Sequence, residues 1–86
     1  MAFSITQSLD LTGLKCPLPV LQAGKRLREL QPGDIVEVIC TDPMSSIDLP
    51  HFCNQKNHTL LEMEQSGEQY RYVIEKGSET SNTEPD

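Results

Sequence analysis

The chain has 86 residues, 36% of them apolar, with no Trp and only two Tyr and two Phe, enough for one small domain whose core must be mostly Leu, Ile and Val. A net charge of −6 argues against a protein that grips nucleic acid non-specifically, since phosphate binding needs clustered Lys and Arg. No stretch approaches the length of a membrane span, and MAFSITQSLDL lacks the basic start and apolar run of a secretory leader, so a cytoplasmic location is expected.

Residues 5–11 alternate loosely and lead into Gly13, which predicts a short first strand. Pro17 to Leu30 reads as a helix. Val20, Ala23, Leu27 and Leu30 share one face with Gly24 beside them, and Leu18, Gln22, Lys25 and Glu29 share the opposite one. Gln31-Pro32-Gly33-Asp34 is a turn. Ile35 to Thr41 (IVEVICT) is a dense β-branched strand. Asp42 is expected to cap a second helix, with Pro43 at its first position. That helix offers Ile47, Phe52 and Cys53 to the core. Pro50 should kink or loosen it, and Asn57 should stop it. His58–Gln65 and Gln69–Lys76 are two strands joined around Ser66-Gly67. The order β-α-β-α-β-β predicts an α+β two-layer sandwich: a mixed four-stranded sheet with both helices on one face. Residues 78–86 (SETSNTEPD) hold three acids, no base and no aliphatic or aromatic side chain, so a domain over 1–77 with a disordered acidic tail over 78–86 is expected.

The chemistry lies in Asp10 to Pro19. Gly13 permits a sharp turn after the first strand. Cys16 then falls at the start of the first helix, Pro17 fits the first helical position, and Pro19 stiffens the same turn. A thiol at a helix N-terminus beside the cation of Lys15 should ionise more readily than usual, although two prolines remove donors from that first turn. Hydrolysis would also need a base and an oxyanion site, and the only carboxylate close in sequence is Asp10. Thiol–sulfur exchange needs only an exposed thiolate, and a persulfide is one of its reversible products. The equipment fits a carrier better than a complete enzyme.

Three cysteines at irregular spacing suit free thiols in a reducing compartment. Cys40, inside IVEVICT, reads as a core residue. Cys53 lies between His51 and His58, yet the spacing fits no established zinc pattern, and no metal or cofactor is expected. A role for Cys53 as a resolving thiol would require close approach to Cys16. Lys25, Arg26 and Arg28 form a basic patch suited to docking on an acidic partner, and Leu18, with Met44 and Pro43 at the same end of the fold, suits the closing of a partner over the thiol.

The stretch D-x-x-G-x-x-C-P-x-P, Asp10 to Pro19, resembles the signature of the TusA/SirA/YedF-like proteins. IVEVICTDPMSSIDLPHFC and YRYVIEKG are similar to later segments of that family, so the resemblance covers roughly residues 9–77. It implies a two-layer sandwich like the C-terminal domain of a bacterial translation initiation factor. It also implies that Cys16 accepts sulfane sulfur from a cysteine desulfurase and passes it to a downstream relay protein. In many bacteria that sulfur ends in 2-thiouridine at the tRNA wobble position; in others, relatives serve sulfur oxidation, and cofactor synthesis is a further destination. Neither nucleic acid nor membrane is expected as a direct partner, and a carrier that shows one corner to successive partners is expected to be a monomer. A regulatory or RNA-binding module that ignores the thiol, and a peroxide-reducing or disulfide-exchanging enzyme with a second reactive cysteine, are the readings from other classes.

Overall fold

The computed structural model describes residues 5–15 and 18–77. The elements run β1 (Gln7–Leu11), α1 (Leu18–Arg28), β2 (Ile35–Cys40), α2 (Ser45–Gln55), β3 (Thr59–Ser66) and β4 (Gln69–Glu75). This is the expected β-α-β-α-β-β order. β1 pairs parallel with β2, β2 antiparallel with β4, and β4 antiparallel with β3, giving a mixed sheet in the order β1-β2-β4-β3. Both helices lie on one face of it. The expected tail, residues 78–86, lies outside the described residues, as do Cys16 and Pro17.

Alternation along each strand separates the two faces. Leu11, Val36, Val38, Cys40, Tyr72 and Ile74 point toward the helices and join Ala23, Leu27, Leu49 and Cys53 in one buried cluster. Val20 and Leu30, both expected in the core, are half-buried against it. The opposite face carries Ser8, Glu37, Glu62, Glu64 and Arg71. Arg71 donates from Nε to Glu37 and from Nη1 to Glu62 at 2.9 Å, while Ser8 Oγ donates to Glu37 at 2.9 Å. On this side Val73 is fully buried outside the helix-side core, paired in register with Glu37 and Glu62. The Arg71 guanidinium, then Ser8, holds the Glu37 carboxyl below the usual carboxylate range.

The second helix departs from its sequence reading. It begins at Ser45, not at Asp42-Pro43. Asp42 instead organises the turn before it: its carboxylate accepts the Met44 N–H at 3.3 Å, and its carbonyl accepts that of Ser45 at 3.0 Å. Ser45, Leu49 and Cys53, four residues apart, take the buried face, and Ile47, expected in the core, is 62% exposed. Phe52 is half-buried, packed on the core and against the Gly24 position of α1. The helix continues through Pro50, so the missing donor there interrupts one backbone bond without ending the element. Asn57 does stop it. Its φ of 64° is left-handed, and the His58 N–H returns to the Cys53 carbonyl at 2.9 Å, the long bond of a Schellman ending.

The far end of the domain is closed by the chain that follows β4. Lys76 Nζ donates to the Leu30 carbonyl at 2.9 Å, supplying a cation where α1 runs out of internal donors. Gly77 donates its N–H to His58 Nδ1 at 3.1 Å and lies so close to the Asn57 carbonyl that any Cβ would overlap it.

At the opposite end a buried polar chain pins α2 to the sheet. Cys40 Sγ donates to Ser45 Oγ at 3.2 Å, and Ser45 Oγ shares a 2.6 Å hydrogen bond with the Tyr72 hydroxyl. Burial pushes Tyr72 from 10.0 up to about 12 and Cys53 from 9.0 up to about 11, and it moves Cys40 the same way. These raised values belong to the folded state. The stability they represent is therefore intact below the ordinary values and is lost as pH climbs through the folded ones. The urea midpoint is expected to fall steadily between about pH 9 and pH 12, and Tyr72→Phe to flatten the upper part of that fall. A midpoint independent of pH over this window would show that these groups are not buried as neutral species.

Candidate functional site

The site is the loop between β1 and α1. Because β1 and β2 run parallel, both end at the same edge of the sandwich, and both following helices begin there. The loop is built amide by amide. Asp10, the fourth residue of β1, turns its carboxylate onto the next residue but one, accepting the Thr12 N–H at 3.1 Å and the Thr12 hydroxyl at 2.8 Å. Such Asx geometry gives the chain an ending to the strand without a backbone partner. Gly13 follows with φ of 87°, a left-handed conformation that favours glycine, and donates its N–H to Thr41 Oγ1 at 3.0 Å. Leu14 returns its N–H to the Leu11 carbonyl at 3.2 Å. The Leu18 N–H reaches back to the Lys15 carbonyl at 2.8 Å, and Cys16 and Pro17 fall in sequence between those two residues.

The other expected site residues divide. Pro19 is buried in the first turn of α1. Lys15 is exposed. Leu18 is 43% and Met44 47% exposed, both at the end where the helices begin. Lys25 and Arg28 are exposed on α1, but half-buried Arg26 turns aside, donating to Gln7 Oε1 at 2.9 Å beside Glu29. Of the three expected basic residues, Arg26 is tied to the edge strand through Gln7. Leu21 and Ile47 join Leu18 and Met44 as exposed large apolar side chains in the opening turns of the two helices. Leu21 was legible from its spacing, three residues after Leu18 and four before Lys25 on one helical stripe. Thr12 and Thr41 escape a motif reading, since nothing in the sequence marks which hydroxyls meet the loop.

Cys53 and His51 are not brought together: Cys53 is buried in the core and His51 is exposed. Among the described residues no group of three or more His, Cys, Asp or Glu is placed to hold a metal. No helix among them is long and apolar enough to cross a membrane.

The described residues thus form a small α+β sandwich with a shaped loop before its first helix and with apolar side chains exposed around that end. The family model described as Sulfurtransferase TusA matches residues 7–76, and the chain belongs to that family. Its fold also matches the crystal structure of the SirA-like protein from Desulfitobacterium hafniense, with a TM-score of 0.74 and 27% identity over 85% of this chain and 100% of that chain. Sulfur transfer through a persulfide is the chemistry of this family.

The Asp10–Thr12 turn can be checked by titration. The Thr12 hydroxyl, then its N–H, holds the Asp10 carboxyl below its ordinary value of 3.8. The depressed value belongs to the folded loop, so its support is present above the ordinary value and lost as pH falls through the folded one. Carbon-detected NMR of the Asp10 carboxyl should show this low midpoint, with the Thr12 amide moving in step. In Thr12→Ala the midpoint should return toward 3.8. An unchanged midpoint would mean that the turn does not form.

Proposed function

We propose that this protein is a sulfur carrier in which Cys16 holds the transferred atom. The observation that carries the reading is the position of residue 16. In the sequence it follows Lys15, and the described residues on either side, Lys15 and Leu18, lie at the edge where β1 and β2 both end and both helices begin, within a chain of the TusA family. The step is thiol exchange. The Cys16 thiolate attacks the terminal sulfur of a donor persulfide; a new S–S bond forms at Cys16 as the donor S–S bond breaks and the donor cysteine leaves as thiolate. The proton on the terminal sulfur travels with it, and no external oxidant or reductant is needed. An acceptor thiolate then repeats the attack on the Cys16 persulfide.

The donor in this reading is a cysteine desulfurase and the acceptor a downstream relay protein, with 2-thiouridine at the tRNA wobble position as the destination. Delivery to sulfur oxidation or cofactor synthesis uses the same chemistry. Direct RNA recognition is disfavoured by the open sheet face, where Glu37, Glu62 and Glu64 surround the single base Arg71. Leu18 and Met44, now with Leu21 and Ile47, form the apolar contact for a partner, and Lys25 and Arg28 on the same stripe as Leu18 and Leu21 steer an acidic surface toward it.

Intact-protein mass after incubation with a cysteine desulfurase and cysteine tests the carrier role. A gain of one sulfur atom in the wild type, removed by reductant and absent in Cys16→Ser, is the expected result; an equal gain in the variant would remove Cys16 from the role. Steering is tested by rate. Lys25→Glu with Arg28→Glu should slow sulfur uptake roughly tenfold or more at low ionic strength, with the deficit shrinking as salt is added. A deficit absent at low salt would assign docking to another surface.

A further inference from the structure

We propose that Thr41 is a positioning residue for the chemistry at Cys16. The inference rests on the reading that Cys16 is the reactive thiol. Three successive amides shape the loop before it, and each has a different partner. The Thr12 N–H is held by the Asp10 carboxylate, the Leu14 N–H by the Leu11 carbonyl, and the Gly13 N–H by the Thr41 hydroxyl at 3.0 Å. The first two partners belong to β1 and its own turn. Thr41 comes from the other side of the site, 28 residues further along the chain.

Thr41 is well placed to act as a fixed point. It directly follows Cys40, the last residue of β2, which is paired with Leu11 across the parallel ladder and bonded through Ser45 to Tyr72. All four of these side chains are buried. The rigidity of the core is thus handed to one hydroxyl oxygen, and that oxygen holds the loop at the residue with the least conformational restraint of its own. Gly13 has no neighbouring atom within 4 Å of where a Cβ would stand, so packing does not fix it there; the hydrogen bond does.

The contact is solvent-exposed and outside the core, so its loss should alter the loop more than the fold. Two residues, Leu14 and Lys15, separate Gly13 from Cys16 in the sequence, and a loop free to rotate at Gly13 presents the residues that follow it less consistently. Thr41→Val keeps the shape and removes the acceptor, whereas Thr41→Ser keeps the hydroxyl.

The test measures alkylation of Cys16 by iodoacetamide across pH, mapped to its own peptide, alongside sulfur loading by a cysteine desulfurase and the urea midpoint. Thr41→Val should slow both alkylation at neutral pH and loading by roughly threefold to tenfold and move the alkylation midpoint upward, with little change in the urea midpoint. Thr41→Ser should stay close to wild type. The inference is overturned if Thr41→Val matches wild type in alkylation, or if Thr41→Ser is as impaired as Thr41→Val. If the wild-type protein takes up no sulfur, the carrier reading fails, and the alkylation profiles alone still decide the role of Thr41.

Discussion

The parallel pairing of β1 with β2 is the constraint on which the rest of this structure depends. Leu11 opposite Cys40 fixes where both strands finish, and from that line both chains turn back as helices over the same face. A parallel pair cannot be joined by a hairpin, so α1 is obligatory as the crossover, and its start must lie beside the end of β2. One edge of the sandwich thereby collects two strand ends, two helix starts and the loop that follows β1. The antiparallel hairpin of β3 and β4 has another task. It extends the sheet and supplies Tyr72 and Ile74 to the core.

The two faces of the sheet are stabilised by different physics. On the helix side, Leu27, Leu49, Val36, Val38 and Ile74 are fully buried, and dispersion with apolar burial dominates. On the open side, no second layer covers the sheet among the described residues, and Arg71 pairs there with Glu37 and Glu62 across three strands. Partly exposed ion pairs of that kind contribute little individually, so the network adds charge to this face more than it adds stability. The carboxylate-rich face and the Lys25–Arg28 stripe lie on opposite sides of the molecule. The two faces therefore present potentials of opposite sign.

Most of this was legible in the sequence, and the failures share one cause. Strands and hairpin followed from alternation and from Gly67, and Ala23 and Leu27 from helical spacing. Asn57 was identified because few residues adopt left-handed φ easily. The error in α2 arose because Asp42-Pro43 satisfies the local rule for a helix start, while the buried bond from Ser45 to Tyr72, 27 residues away, decides the actual phase. A local rule has no access to that bond. Ile47 was misplaced as a result, and its true exposure adds an apolar side chain to the candidate site. Thr41 was invisible for the same reason: its partner lies across the fold, in another loop.

The distribution of thiols bears on what a sulfur carrier must avoid. A persulfide is consumed by any thiolate that reaches it, so a second reactive cysteine in the same chain would divert the transferred atom into an internal exchange. The fold withholds the other two cysteines from that chemistry. Cys40 is fully buried and spends its S–H on Ser45, and Cys53 is 2% exposed. Burial pushes the Cys53 ionisation up to about 11, which keeps it in the thiol form at neutral pH. These cysteines act as small hydrophobes of the core. In the proposed carrier reading, burial of Cys40 and Cys53 leaves neither of them exposed to exchange with a persulfide elsewhere in the chain.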